Sequence, residues 1–316
     1  MVREKLNLPD PNEDWECGCV KSHFLDSGAF TIWTKAAEYA KENKTDQWAY
    51  YDTPDFYEYL DSYAAFVQKF HYAIDHYANV DAIPNPELTY RNQKYLEQTH
   101  GLNPVPVVHY RTSLDWLKRY VDEGYDFIAL GGLVGSLTQE HCRGWLDRCF
   151  DFLCDNPSRC PRVRIHGFGV TSYELLLRYP WYSVDSTSWT KIGAFGGISV
   201  PHQRRGEFVF TEQPYILGVS IDSPKRRERG YHYFTLSSGE KAIVRKWLSD
   251  IGVGLGKWKW NPDGTYEVLE YGVVTRHVER RYANLMFYQR MVESMPAYPF
   301  PFHLKNRVSI KGFGLI

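Results

Sequence analysis

Two aspartates stand in sequence contexts that suit sugar chemistry. Asp26 begins the segment DSGAF, where small residues permit a tight turn and a close approach of a ligand to the backbone. Asp185 follows an apolar run in YSVDSTSW, and hydrogen bonds from the hydroxyl groups behind it would keep the carboxylate ionised and oriented. A fixed carboxylate can attack an anomeric carbon and form a covalent glycosyl–enzyme, while a second carboxylate moves the proton. Taken singly, Asp26 also fits a turn cap and Asp185 an Asx-turn.

Two glycine-rich segments favour a pocket for a flat ligand. GGLVG at residues 131–135 and HGFG at 166–169 remove side chains at Gly131, Gly132 and Gly167, where a planar ring would hydrogen-bond to main-chain N–H groups. Phe30, at the end of DSGAF, has room to lie over such a ring. Tight turns are the alternative explanation, because they use glycine in the same way.

Six basic residues lie in two polar segments of the second half, SVPHQRRGEF and SPKRRERG. They are Arg204, Arg205, Lys225, Arg226, Arg227 and Arg229. Loops that flank a pocket are well placed to hold phosphates, and a solvated charged surface is the alternative. Because the formal net charge is -1, a nucleic acid would have to bind such local patches.

Short apolar runs alternate with amphipathic stretches through the first half of the chain. The periodicity predicts helices over residues 86–99, 113–122, 138–154 and 172–179, each between two apolar runs. This alternation is typical of parallel βαβ units, and we expect an α/β fold of the TIM-type (β/α)₈ barrel class, as one domain over residues 1–316. A doubly wound sheet ranks second, since no GxGxxG turn follows an early strand.

Polar or glycine residues close the apolar runs, and in a parallel barrel these strand ends converge on the face that carries the chemistry. They are Asp26, Asp81, His109, Gly131, Gly132, His166 and Asp185. The second half is less regular: we expect a loop insertion at about 193–230, a strand and helix within GYHYFTLSSGEKAIVRKWL, and a closing helix at about 274–294. The apolar positions of that closing helix include Val274, Val278, Tyr282, Leu285 and Tyr288.

Four segments in this order resemble the motifs of the tRNA-guanine transglycosylase (queuine tRNA-ribosyltransferase) superfamily. DSGAF resembles its DSGGF motif, GGLVG its GGL-x-VG motif and HGFGVTS its MGVGTP motif, while VDSTSW stands where the family has its nucleophile segment FDCV. The resemblance covers residues 24–189 and implies a pentosyltransferase on a barrel fold that needs no cofactor.

The resemblance also implies roles for single residues. Asp185 would be the nucleophile that attacks C1′ of a guanosine, and Asp26 the general acid/base. Asp81 would read the Watson–Crick edge of the base, and His109 stands where the family has a base-binding Gln. Gly132 and Leu133 would offer main-chain contacts, and Phe30 and His166 would sandwich the ring.

Departures from the family's motifs narrow the range of possible substrates. No cysteine follows Cys160, so the family's Cys/Cys/Cys/His zinc site is missing, and SWTKIGAFGG replaces its tRNA-binding arginine segment. The chain is most similar to the compact phage-type DNA transglycosylases, which implies exchange of guanine in DNA for a free 7-deazaguanine base such as preQ0. A zinc-less tRNA transglycosylase and a non-catalytic nucleic-acid-binding paralogue are the alternatives.

Composition bounds the remaining properties. The chain has 43% hydrophobic residues, no apolar run long enough for a membrane span and no apolar N-terminal stretch, so we expect a cytoplasmic protein, in the host cytoplasm if phage-encoded. None of the six cysteines forms a CxxC pair, and we expect reduced thiols and no metal site. Whether Cys142, Cys149, Cys154 and Cys160 bind a ligand stays open. The oligomeric state stays open, with a homodimer among the options.

Overall fold

Alternating helices and short strands make up the first half of the chain, and the second half adds antiparallel strand pairs. The structure is a computed structural model that describes residues 23–133, 139–170, 172–296, 298 and 301–302. The helices are α1 (Ala29–Asn43), α2 (Pro54–Phe70), α3 (Pro86–His100), α4 (Leu114–Asp122), α5 (Gln139–Leu153), α6 (Tyr173–Arg178), α7 (Ser188–Ala194), α8 (Ser238–Asp250) and α9 (His277–Glu293). The strands are β1 (Phe24–Leu25), β2 (His76–Tyr77), β3 (Val107–His109), β4 (Phe127–Gly131), β5 (Arg164–Gly167), β6 (Ser183–Val184), β7 (Gly197–Val200), β8 (His202–Arg204), β9 (Glu207–Val209), β10 (Tyr215–Gly218), β11 (Lys257–Trp260) and β12 (Tyr266–Glu270).

The helices predicted in the first half are confirmed, because local capping signals determine where they begin. Asn85 accepts a hydrogen bond from the Leu88 amide at the start of α3, just before a proline at the first helical position. Ser113 caps α4 and Ser172 caps α6 in the same way. The predicted α5 is confirmed from its first described residue onward.

Parallel strands follow one another in chain order. β1 pairs with β2, and an isolated parallel bridge joins Ala78, just after β2, to Val105, just before β3. β3, β4, β5 and β6 then form a four-stranded sheet in that order, with β3–β4 and β4–β5 parallel. Successive βαβ units produce this arrangement. The predicted mixed α/β fold with parallel strands is confirmed.

Two apolar clusters hold these strands in place. One lies among α1, α2 and the chain after β2, and it includes the fully buried Ile32, Phe56 and Leu60. The other is built from alternate residues of neighbouring strands, such as Val107 of β3 and Ala129 of β4, which face the same side of the sheet. The strand ends that carry the predicted site therefore rest on close-packed apolar layers.

The chain divides into two compact units. The first comprises Met1–Pro157, Pro161–Phe168 and Trp181–Ser183, and the second comprises Ser158–Cys160, Gly169–Pro180 and Val184–Ile316. The first unit contains β1 to β5 and the second contains β7 to β12. The organisation as one barrel domain stays a prediction.

The irregular insertion predicted at about 193–230 is wrong in part. β7 and β10 pair antiparallel, and β8 and β9 form a hairpin. The hairpin turns at Arg205 and Gly206, which both have positive φ, as the tight two-residue turns of hairpins require. Its strands have three residues each and are mostly polar, so hydrophobic periodicity could not reveal them. The strand predicted before α8 is also wrong, because a 3₁₀ turn (Tyr233–Thr235) stands there.

The helix predicted at about 274–294 is confirmed as α9, but its predicted apolar face is wrong. Val274 is buried before the helix begins, whereas Val278, Tyr282 and Leu285 are 45%, 45% and 42% exposed. The buried face consists of Arg280, Ala283, Asn284, Phe287 and Met291.

Polar side chains on that buried face of α9 satisfy backbone groups of the second unit. Asn284 donates to the carbonyls of Trp189 and Gly197, and accepts from the Ser199 amide at 2.6 Å. Arg280 donates to the Gly193 carbonyl at 2.8 Å. Buried backbone groups need such partners, and hydropathy alone does not predict which helix face supplies them.

Candidate active site

The DSGAF segment forms a tight turn at the end of β1. The Gly28 amide donates to Asp26 Oδ1 at 3.2 Å, so the carboxylate makes an Asx-turn while remaining exposed. Gly28 has a φ of 73°, and a Cβ there would lie 2.7 Å from the Tyr59 hydroxyl oxygen. That hydroxyl donates to the Ser27 carbonyl at 2.5 Å. Tyr59 therefore fixes the turn that carries Asp26, and burial together with the Asp26 charge raises the pKa of Tyr59.

Asp81, four residues after β2, and His109, the last residue of β3, form a buried pair. His109 Nε2 lies 2.6 Å from Asp81 Oδ2, and the two residues are 2% and 6% exposed. His109 Nδ1 has no hydrogen-bond partner among the described residues, and neither has the buried Tyr51 hydroxyl. Burial and the Asp81 charge raise the pKa of Tyr51. The sequence placed both residues of the pair at strand ends but did not predict their contact.

Glycines at the end of β4 make room for this pair. A Cβ on Gly131 would lie 3.2 Å from Val107 Cγ1 and 3.4 Å from His109 Cδ2, so a larger residue would press on the histidine. Gly132 is exposed and Leu133 is half-buried. Residues 134–135 of GGLVG lie outside the described residues. The main-chain contacts predicted for this segment stay predictions.

His166 belongs to β5, and aromatic side chains cover its ring. Its ring stacks on Phe24 with centroids 4.5 Å apart and planes at 16°, and meets Phe168 edge-on at 4.6 Å. Its Nδ1 lies 2.8 Å from Ser183 Oγ. Burial, with a smaller contribution from His76, lowers the pKa of His166 to about 4, because the cationic form loses its hydration. The ring is therefore neutral near pH 7.

Of the two rings predicted to enclose the base, Phe30 is accessible to solvent and His166 is buried. Phe30 is 70% exposed and stacks on Trp33 with centroids 5.8 Å apart. His166 is only 3% exposed, so a base would reach its face only after Phe24 or Phe168 moved. Gly167, the last residue of β5, is buried. The sandwich stays a prediction that requires this rearrangement.

Asp185 follows β6 and belongs to the second unit. Its Oδ1 accepts a hydrogen bond from the Gly169 amide at 2.6 Å, and the residue is exposed. Ser186 Oγ accepts from the Ser188 amide at 3.0 Å, next to the start of α7. A main-chain donor thus orients the carboxylate and leaves it accessible to solvent.

Two of the six predicted phosphate-binding residues are already in ion pairs. Arg204 lies 2.5 Å from Glu212, and Lys225 lies 3.6 Å from Glu228. Exposed ion pairs of this kind contribute little and exchange readily. The other exposed members of the set are Arg205, Arg227 and Arg229.

Arg226 lines an aromatic cavity that the sequence reasoning did not find. Its guanidinium lies 5.4 Å from the centre of the Trp260 ring, and Trp260 is 43% exposed. Arg227 and Phe234 also line this cavity of about 540 Å³. The KWKW segment of β11 is the sequence pattern that could have predicted this cavity. It resembles the basic–aromatic surfaces that stack on bases and hold phosphates.

A second cavity, also of about 540 Å³, lies at the N-terminal ends of the parallel strands. Its charges compensate one another: Lys94 Nζ lies 3.0 Å from Glu97 and 2.8 Å from Glu123, and Arg164 pairs with Asp126 at 2.7 Å. Each charged group named here is therefore already paired with an opposite charge within the protein, which does not favour a site for a charged ligand.

The cysteines of the described part behave as thiols. Cys142, Cys149 and Cys154 are buried and Cys160 is partly exposed, and these four form no disulfide with one another, while Cys17 and Cys19 lie outside the described residues. Burial raises the pKa of Cys149 to about 12, which makes it unreactive. Among the described residues, no group of three or more His, Cys, Asp or Glu side chains is arranged to hold a metal ion.

No helix in the described part of the chain is long and apolar enough to cross a membrane. Comparison of the sequence with protein-family models and with curated proteins finds no match.

Proposed function

We propose that the chain is a transglycosylase that exchanges guanine in DNA for a free 7-deazaguanine base, on a (β/α)₈ barrel. The observation that carries the proposal is the buried Asp81–His109 pair beside Gly131, at the C-terminal ends of parallel strands. The chain-order pairing of β1 to β6 supports the barrel, since a singly wound barrel begins in this way.

The Asp81–His109 pair has the properties that a purine reader needs. His109 engages only Oδ2 of Asp81, and Oδ1 makes no hydrogen bond to the described residues. A carboxylate oxygen there can accept from the N–H groups of a guanine edge, and His109 Nδ1 is a further polar atom without a partner among the described residues. Burial strengthens each such bond, because water does not compete for the groups.

The sequence resemblance supports the catalytic assignment. An Asp185 oxygen attacks C1′ of the target nucleotide, the C1′–N9 bond breaks, and guanine leaves with its electron pair and takes a proton from Asp26. The incoming base then loses its N9 proton to Asp26 and attacks C1′, which releases Asp185 and restores both carboxyl groups. The accessibility of both carboxylates and the main-chain bond to Asp185 fit these roles.

Duplex DNA would have to present the target nucleotide unstacked. The cavity at Arg226 and Trp260 offers what a bound nucleotide needs, namely guanidinium groups for phosphate and an exposed indole for a base. We therefore assign the DNA contacts first to Arg226, Arg227 and Trp260.

The test is base exchange into guanine-containing DNA, with intact-mass analysis for a covalent adduct. Asp185→Asn should abolish exchange and adduct. Asp26→Asn should slow exchange by about 10²–10⁴-fold, because proton transfer is lost while the nucleophile stays. Asp122→Asn, at an exposed carboxylate that ends α4, is the matched control and should behave as wild type.

Each rival has its own outcome in this test. Exchange into a tRNA anticodon stem-loop but not into DNA would identify a tRNA transglycosylase. Binding of nucleic acid without exchange by the wild-type protein would identify a non-catalytic relative. Wild-type exchange by Asp185→Asn would refute the nucleophile assignment.

A further inference from the structure

α9 presents an apolar stripe on the side opposite its buried face. Val278, Tyr282, Leu285 and Val292 are 45%, 45%, 42% and 57% exposed, with Gln289 between the last two. At 3.6 residues per turn their spacing of four, three and seven keeps them in one line along the helix. A line of exposed apolar side chains on one helix marks a contact surface more often than isolated exposed residues do.

Four charged residues near the ends of α9 lie almost symmetrically about its midpoint, Leu285. Arg276 lies 3.8 Å from Glu279 at one end, and Arg290 lies 3.2 Å from Glu293 at the other. Measured from Leu285, Glu279 and Arg290 lie six and five residues away, and Arg276 and Glu293 lie nine and eight residues away. Each of these four residues thus has an opposite charge within one residue of its mirror position. On a helical wheel Glu279, Arg290 and Glu293 all lie on the same flank of the stripe.

We infer that α9 pairs antiparallel with α9 of a second copy of this chain, across a two-fold axis near Leu285. In an antiparallel pair related by such an axis, residues on the same flank of the two helices meet, so Glu279 of each copy faces Arg290 of the other. The same operation brings Val278 of one copy opposite Val292 of the other and places Leu285 against its own copy. Apolar residues thus meet apolar residues and opposite charges meet each other, as a self-complementary two-fold interface requires.

Charge also argues against a lipid surface as the occupant. A helix that lies on a membrane carries an excess of Lys and Arg beside its apolar face. Here Arg281 and Arg290 beside the stripe are matched in number by Glu279 and Glu293, so the stripe has no excess of positive charge. Arg280 belongs to the buried face of the helix. Because one helix pair buries less than a standard interface of roughly 1,600 Å², the association should be reversible and depend on concentration.

The experiment is sedimentation equilibrium of the full chain over roughly 1–100 μM, a range that brackets micromolar affinity. We expect a monomer–dimer equilibrium for the wild type. Leu285→Glu should sediment as a monomer throughout, because it places a charge at the two-fold axis. Leu269→Glu, at a 59% exposed apolar residue of β12, is the matched control and should dimerise as wild type. Circular dichroism confirms that each variant is folded.

Reversing the charges distinguishes this specific pairing from nonspecific hydrophobic association. Glu279→Arg should raise the dissociation constant about tenfold, because it opposes two arginines across the interface at two equivalent places. Adding Arg290→Glu should restore or tighten the dimer, since each helix end then carries one sign and faces the other.

A wild-type monomer at all concentrations would overturn the inference, as would a Leu285→Glu dimer or a double variant no tighter than Glu279→Arg. Dimerisation that Leu269→Glu abolishes as fully as Leu285→Glu would assign the contact to a different surface.

Discussion

Gly28→Ala tests whether Tyr59 fixes the turn that carries Asp26. The left-handed φ of 73° disfavours alanine by about 1–2 kcal/mol. The new Cβ would also lie 2.7 Å from the Tyr59 hydroxyl and displace it from the Ser27 carbonyl, which forfeits about 1 kcal/mol for that hydrogen bond. We expect the free energy of unfolding to fall by about 2–3 kcal/mol in total.

The matched control is Gly101→Ala. Gly101 ends α3 with a φ of 66°, and a Cβ there meets nothing within 4 Å. This variant should lose only the backbone component, about 1–2 kcal/mol. In a Tyr59→Phe background, Gly28→Ala should cost no more than Gly101→Ala, because the nearest remaining ring atom lies 4.0 Å away.

The assay is urea denaturation followed by tryptophan fluorescence, as a double-mutant cycle over Gly28 and Tyr59. We expect a coupling free energy of about 1 kcal/mol. Additive effects within about 0.5 kcal/mol would refute the role of Tyr59 in holding the turn. Base exchange measured on the same variants should fall with Gly28→Ala and stay near wild type with Gly101→Ala.

The remaining predictions concern charge. The folded-state pKa of His166, lowered to about 4, lies below its unfolded value, so stability should be complete above about pH 6.5 and fall by up to ~3 kcal/mol towards pH 4; an equal decline in His166→Gln would contradict this. Arg227→Ala should reduce the log–log salt slope of DNA binding by about one, whereas Arg204→Ala, already paired with Glu212, should change it less; equal slopes would remove Arg227 from the interface. Asp81→Asn should weaken binding of free base in calorimetry by about 10–150-fold, and unchanged affinity would exclude it as the purine reader.

Local signals in the sequence sufficed for most of the first half. Caps such as Asn85 and Ser113 lie next to the helices they begin. The apolar runs that became β3 and β4 are buried along their whole length, so their composition is distinctive. The parallel strands pair in chain order, as is usual for consecutive βαβ units. The same pattern placed Asp26 and His109 at the ends of β1 and β3, whereas Asp81 lies four residues beyond β2.

Such local signals do not predict contacts between residues that are far apart in the sequence. The cover that Phe24 and Phe168 provide for His166 depends on how three strand regions come together. The hairpin of β8 and β9 has too few residues for a period to be visible. On α9 the buried Asn284 and Arg280 read as polar and the exposed Tyr282 and Leu285 read as apolar, so the hydrophobic pattern of the sequence pointed to the wrong side.

The buried Asp81–His109 pair supports a binding function more strongly than a stabilising one. Burying a carboxylate and an imidazole together requires the removal of water from both, and well-packed apolar residues at such positions are often as stable or more stable. The pair also leaves His109 Nδ1 without a partner among the described residues, which is unfavourable for a buried polar atom in a resting fold. A planar base that donates to Asp81 and approaches His109 would satisfy the remaining hydrogen-bonding capacity of both. The structural cost of the pair is therefore the feature that a ligand at these strand ends would relieve.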